Sequence, residues 1–236
     1  MSAGAPGRIE LPERGRAAMR SVLALLAENR GAPSAVTDPA RAWRVHVADS
    51  LAGLEIQALR TARRIADLGA GAGFPGLALA AALPAADVRL IESVGRKCEF
   101  MRRAIEMAGI DNASVVCDRA ELWAQSAPPD GGREAHEAVT VRAVGRLSTV
   151  AELASPLLVE GGVLVAWKGR RRLDEEVELE RASRRLAMDA AEVVRVGPYA
   201  GSRNQHLHVI RKTGPTPEGL PRRPGMAKKR PFGRGR

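Results

Sequence analysis

Phenylalanine, tyrosine and tryptophan together make up 3% of this 236-residue chain. That scarcity excludes a nucleic-acid platform built from many stacked rings. Phe74, Trp43, Trp123 and Trp167 are the stacking candidates, with arginine planes as a substitute. Trp43 and Trp123 are expected in the core instead. Cysteine is scarcer still: Cys98 and Cys117 are the only two. Two cysteines well apart in sequence point to neither a disulfide framework nor a zinc site. Both are expected as small buried hydrophobes in a reducing compartment, and no metal is expected. No run of 18 uncharged apolar residues is present, so no membrane span is expected. The opening segment "MSAGAPGRIELPERGR" lacks the apolar core of a signal peptide, and a cytoplasmic location is expected.

Acids are missing from one region in particular. Residues 211–236 hold nine Lys/Arg and one Glu, a net of +8; the formal charge of +10 leaves +2 for the other 210 residues. The body is near neutral and residues 213–236 read as a basic, disordered tail, rich in proline and glycine and poor in apolar side chains. A cationic arm of this kind suits phosphate backbones; a solubilising or membrane-surface tail is the alternative. Arg222, Arg223, Lys228 and Lys229 are its candidate RNA contacts, and its removal after residue 212 is expected to spare cofactor binding.

The remaining chain divides into an N-terminal helical extension over 1–60 and an α/β domain over 61–212. "RAAMRSVLALLAEN" spaces Met19, Val22, Leu23 and Leu26 as one helical face. Asp38 followed by Pro39 is a helix start. From residue 64, strand and helix patterns alternate: "RIADLG", "VRLIES", "ASVVCD", "EAVTVRAV" and "GGVLVAWKG" read as strands, with helices between them. "EVVRVGPY" and "QHLHVIRK" read as a closing antiparallel hairpin. The expected fold is a Rossmann-like, mostly parallel seven-stranded sheet with helices on both faces.

"ADLGAGAGFPG", residues 66–76, places four glycines in eight positions directly after a strand. Backbone without side chains can turn tightly there and approach a ligand closely. Glu92 ends the next strand, where a carboxylate can accept from ribose hydroxyls. NAD and S-adenosylmethionine both carry that ribose. Three features favour S-adenosylmethionine. Asp67 precedes a Gly69-Gly71-Gly73 run and is placed near the ammonium end of the methionine part. "CDRAEL" follows the third strand and can reach an adenine edge. The sheet closes with a hairpin rather than a second mononucleotide-binding half.

Methyl transfer needs alignment first, and a base only where the acceptor must lose a proton. The fourth strand ends in "VRAVGRLS", not in the Asn/Asp-Pro-Pro-aromatic sequence of exocyclic-amine methyltransferases, and no cysteine nucleophile lies near it. An acceptor that is already nucleophilic fits, such as guanine N7.

"HVADSL", "ADLGAGAGFPG", "VRLIESVGRKCEFM", "DRAEL", "VRAVGRL", "WKG" and "QHLHVIRK", in that order, resemble the bacterial small-subunit ribosomal RNA guanine-N7 methyltransferases, the glucose-inhibited division protein B family. The tail segment "LPRRPGMAKKRPF" is similar to the family's ending, with Met226-Ala227 in place of Thr-Pro. The resemblance implies S-adenosylmethionine as cofactor and a guanine of 16S rRNA, or the small ribosomal subunit, as substrate. It implies cofactor contacts at Gly69, Gly71, Gly73 and Phe74, the ribose at Glu92 and the adenine end at Ala120 and Glu121. It puts Arg142 beside the methionine part or the target base, as the catalytic candidate. The family's Asn-Leu-Thr is replaced here by Ala32-Pro33-Ser34, with Asn29 nearby. His46 and Asp49-Ser50 match the family, and His46 and Asp49 share a helical face. Lys168 is a further RNA-phosphate candidate or a cap on the sheet edge. His206 and His208 are read as structural, without acidic partners. A monomer is expected. The alternatives are a methyltransferase acting on another RNA or on a small molecule, and a non-catalytic RNA-binding assembly factor.

Overall fold

The computed structural model describes residues 10–29, 36 and 38–234; the Ala32-Pro33-Ser34 segment lies outside them. All seven expected strands form, in one sheet: β1 (Arg64–Leu68), β2 (Asp87–Ile91), β3 (Ala113–Val116), β4 (His136–Arg142), β5 (Leu158–Lys168), β6 (Glu192–Val196) and β7 (Gln205–Arg211). Their spatial order is β3-β2-β1-β4-β5-β7-β6. The first five pair in parallel, and β7 runs antiparallel between β5 and β6.

Side chains alternate across the sheet and build two cores. Along β5, Val163, Val165 and Trp167 enter one core while Leu164 and Ala166 enter the other. Near-continuous apolar runs are what a sheet covered on both faces requires. On one face lie α1 (Glu13–Glu28), α5 (Gly76–Ala82) and α6 (Gly95–Ala108), with α1 packed on both of the others. α1 buries Met19, Val22, Leu23 and Leu26, the face its spacing marks. On the other face lie α8 (Leu147–Ala154) and α9 (Leu173–Leu186), packed together. α9 begins with Asp174, Glu175 and Glu176 and ends with Arg184 and Arg185, complementing its dipole.

The chain before β1 is a broken helical path. α2 (Pro39–Ala42) starts as expected, with the Asp38 side chain accepting from Arg41 N at 2.7 Å. It passes through a six-residue π-helical stretch, Trp43–Ala48, into α3 (Asp49–Leu51), and α4 (Gln57–Arg60) leads to β1. Wide turns of this kind recur at functional sites, and His46 sits inside this one.

The tail is a correction. Residues 213–234 form a hydrogen-bonded strap over α8 and α7 (Ala120–Trp123), with a short helix α10 (Met226–Lys229). Arg222 clamps Glu152 with two charge-assisted bonds, 2.6 and 2.5 Å long, and Glu152 is 3% exposed. The Phe232 ring lies between the guanidinium groups of Arg222, at 3.9 Å, and Arg185, at 4.2 Å. Leu220 and Ala227 are buried. The tail's few apolar groups suffice because the body supplies buried carboxylates as anchors. Composition read from the tail alone could not show those partners.

Candidate active and cofactor site

In an open parallel sheet, ligands bind beyond the carboxyl ends of the strands where the strand order reverses. Here the reversal falls between β1 and β4. The glycine loop leaves β1 and Arg142 ends β4, so they flank the crevice.

Gly69, Gly71 and Gly73 adopt φ of 68°, 60° and 91°, a region closed to most side chains. Ile91 O accepts from Gly69 N and Ala70 N at 2.9 and 3.0 Å, which anchors the loop to β2. A Cβ on Gly71 would meet nothing nearer than Gly69 O at 3.8 Å. The loop is therefore bare on that side, a cradle that a cofactor would fill. Glu92 borders it: Oε2 accepts from Gly71 N at 3.2 Å and Oε1 from Val94 N at 2.9 Å, with Lys97 Nζ at 3.6 Å. A carboxylate so held at the end of β2 fits a ribose. Ala120 opens α7 just beyond the end of β3.

Asp67 does a different job from the one expected. It is fully buried; Oδ2 accepts from Gly76 N at 2.9 Å and Oδ1 from Thr140 Oγ1 at 2.9 Å. Burial pushes its pKa up to about 6 against the pull of the Gly76 amide, Thr140 and Arg142. Its two oxygens thereby brace the first residue of α5 and Thr140 within β4. Glu121 also has a partner within the fold: its Oε1 accepts from Gly225 N at 2.8 Å and holds the strap.

Arg142 is the centre of a cluster assembled from three parts of the chain. Its Nη1 donates to Val45 O at 3.0 Å and Asp49 Oδ2 at 3.1 Å, and its Nη2 lies 3.3 Å from His46 Nδ1. The His46 ring stacks on Phe74 with centroids 5.0 Å apart, and the Arg142 guanidinium lies 5.9 Å from the Phe74 ring centre. Phe74, 4% exposed, thus ties the glycine loop to the N-terminal segment through its ring. Burial, then the Arg142 charge, lowers the His46 pKa to about 4, so the imidazole is neutral at neutral pH. Burial raises the Asp49 pKa, and Arg142 opposes it. The next residue, Ala143, adopts φ of 60°, a strained backbone for alanine just after the strand.

Trp167 is not a base-stacking surface. It is 6% exposed, its Nε1 donates to Asp49 O at 2.8 Å, and its ring covers Gly53. Lys168 is a tether: Nζ donates to Gly145 O at 2.8 Å and pairs with Glu175 at 2.9 Å. Of the tail cations, Arg222 is spent on Glu152, while Arg223, Lys228 and Lys229, with Arg230 beside them, are exposed. Nothing in the sequence marked Thr140, Glu152 or Phe232. His208 has an acidic partner after all, Glu176 Oε1 at 3.2 Å, and His206 Nδ1 lies 3.0 Å from Gly169 O.

The cysteines are a second correction. Cys98 is buried, but Cys117 is exposed, and the two are joined in a disulfide. Parallel pairing of β2 with β3 brings the start of α6 beside the end of β3, a proximity that a separation of 19 residues conceals. Among the described residues no group of three or more His, Cys, Asp or Glu could hold a metal, and no helix is long and apolar enough to cross a membrane.

Solved structures share the fold. A predicted O-methyltransferase from Agrobacterium tumefaciens is 26% identical, with a TM-score of 0.53 over 71% of this chain and 80% of that one. The S-adenosylmethionine-dependent methyltransferase SibL, 13% identical, superposes with a TM-score of 0.56 over 86% of this chain and 70% of its own. Sequence relatives are nearer. A ribosomal RNA small subunit methyltransferase G from Pelotomaculum thermopropionicum is 38% identical over 188 residues, covering 79% of this chain and 77% of the relative. One of the same name from Rubrobacter xylanophilus is 38% identical over 192 residues, covering 79% and 72%. The family model described as rRNA small subunit methyltransferase G matches residues 23–207. With the glycine cradle, Glu92 and Arg142 set at the switch point of such a sheet, the chain belongs to the rRNA small subunit methyltransferase G family.

Proposed function

We propose that the protein transfers a methyl group from S-adenosylmethionine to N7 of a guanine in 16S rRNA, as a cytoplasmic, metal-independent monomer. Gly69, Gly71 and Gly73 would hold the cofactor's backbone side, with Glu92 on the ribose and Ala120 toward the adenine. When bound, S-adenosylmethionine supplies an electrophilic sulfonium methyl.

One observation carries the choice of acceptor. The titratable groups beside the crevice, His46 and Asp49, are both engaged with Arg142. They orient a guanidinium and are not poised to remove a proton. Guanine N7 has no proton to lose, so this site suits it; an exocyclic amine would need the missing base. Arg142 keeps Nε–H and one Nη2–H outside its internal bonds. Donors in that fork fit O6 of guanine. Methylation at N7 leaves positive charge on the purine, and the Asp49 carboxylate offsets the guanidinium there. Arg223, Lys228, Lys229 and Arg230 form the cationic face that would meet the phosphate backbone.

The test supplies radiolabelled S-adenosylmethionine with naked 16S rRNA and with assembled small subunits, then identifies the labelled nucleoside. Label in 7-methylguanosine is expected. Label on an exocyclic amine or a pyrimidine would refute the acceptor, and no label with either substrate would favour a non-catalytic assembly factor.

A further inference from the structure

The Cys98–Cys117 pair sits at the rim of the cofactor site. Cys98 lies in the first turn of α6, its Sγ 3.1 Å from Glu92 O, at the strand end that carries the ribose carboxylate. Cys117 follows the last residue of β3 and precedes Asp118, Arg119 and Ala120, the turn into α7. The two Cα atoms are 5.8 Å apart, so a bridge needs no backbone movement. The link therefore spans the corner between Glu92 and Ala120. Cys117 is exposed, with the exposed Arg119 two residues on; Arg96 and Lys97 lie beside Cys98.

We propose that Cys98 and Cys117 are a reversible redox site, oxidised by a small-molecule disulfide, that sets how tightly the adenosine corner holds the cofactor. In the reduced protein the buried Cys98 thiol has Glu92 O as its acceptor, so exposed Cys117 is the attacking group. Its thiolate attacks one sulfur of the oxidant and expels one thiolate. Cys98 then gives its proton to water, attacks the Cys117 sulfur of the mixed disulfide and expels the second thiolate. Two protein thiols are oxidised to one disulfide while the oxidant's disulfide is reduced to two thiols. In the reducing compartment proposed above such a bond is transient, and a transient bond beside a ligand site is a sensor. With the bridge closed, the turn before Ala120 is fixed to α6 in advance, and cofactor binding no longer bears the cost of ordering it. The oxidised form is the tighter binder. This rests on the reading that Glu92 and Ala120 hold the adenosine part.

The experiment incubates the intact protein with dithiothreitol or with oxidised glutathione, counts alkylatable thiols by mass, and titrates S-adenosylhomocysteine by calorimetry. Oxidised glutathione is expected to remove both alkylation sites, reversibly, and to lower Kd at least threefold relative to reduced protein. Cys117→Ser should bind like the reduced form under both conditions. Two thiols that stay alkylatable in the native protein, or equal Kd values in the two states, would overturn the proposal. Thiol counting does not depend on the cofactor. A Gly71→Asp protein that still bound S-adenosylhomocysteine normally would therefore mark failure of the cofactor-site reading, separately from failure of the switch.

Discussion

Arg142 Nη1 lies 3.1 Å from Asp49 Oδ2, an ion pair between residues 93 positions apart in the chain. It joins the end of β4 to the N-terminal helical path and fixes the guanidinium at the crevice. Asp49→Asn keeps an acceptor but removes the charge. Burial raises the Asp49 pKa even with Arg142 beside it, so the charge removed is one the fold disfavours, and stability at neutral pH should fall by no more than about 1 kcal/mol. Methylation kcat/KM should fall about 10- to 100-fold with a misplaced guanidinium. Affinity for S-adenosylhomocysteine should stay within threefold by calorimetry; a matching loss there would place Arg142 on the cofactor rather than on guanine.

Gly71 offers a paired comparison with Gly109, since both have φ of 60°. Alanine at either costs about 1–2 kcal/mol of backbone strain. Gly109 caps α6 with nothing within 4 Å of an added Cβ, so Gly109→Ala should leave cofactor affinity unchanged. Gly71→Ala should weaken it at least tenfold, and Gly71→Asp should abolish it. Equal affinities for the two alanine variants would mean that the cradle does not face the cofactor.

Removing the tail is no longer a clean test of RNA binding, because it would strip Glu152 of its partner. Arg222→Ala alone should cost about 3–5 kcal/mol in urea unfolding, from a carboxylate left buried and unpaired. Glutamine at Arg223, Lys228, Lys229 and Arg230 together should change stability by less than about 0.5 kcal/mol per site. It should flatten the salt dependence of RNA affinity by about 0.7 in logarithmic slope for each phosphate that is no longer neutralised. An unchanged slope would clear the strap of that role.

Two buried groups oppose each other across one pH window. Asp67, raised to about 6, holds its proton more tightly folded than unfolded; its contribution is present at low pH and is lost as pH rises from about 4 to 6. His46, lowered to about 4, resists protonation in the fold; its contribution is present above its ordinary value of 6.5 and is lost as pH falls toward 4. Asp67→Asn removes the first. The variant should therefore gain stability relative to the parent, by about 2–3 kcal/mol, between pH 4 and 7. Urea unfolding at pH 4.5 and 7 reads this, and a difference that stayed constant or shrank would contradict the buried-acid assignment.

The sequence by itself determined the sheet. Apolar runs marked the central strands, as in β4 and β5, because burial on both faces leaves little room for polar alternation, whereas β6 and β7 were marked by apolar residues interleaved with polar ones. It also placed the glycine loop, Glu92 and Arg142 at strand ends, since that position depends only on local order. Tertiary structure decided what each charged group faces. Asp67 and Glu121 look like ligand contacts in sequence, yet Asp67 is fully buried with its two oxygens on Gly76 N and Thr140 Oγ1, and Glu121 holds Gly225 N of the strap. Arg222 and Lys168 look like free cations, yet Glu152 and Glu175 hold them. The cysteines and the tail follow the same rule: parallel strand pairing brings Cys98 to Cys117, and buried carboxylates on the body fold the strap. Local pattern fixes which backbone segments form, while the partner of a polar group is a long-range contact that desolvation makes obligatory and that no short window of sequence contains.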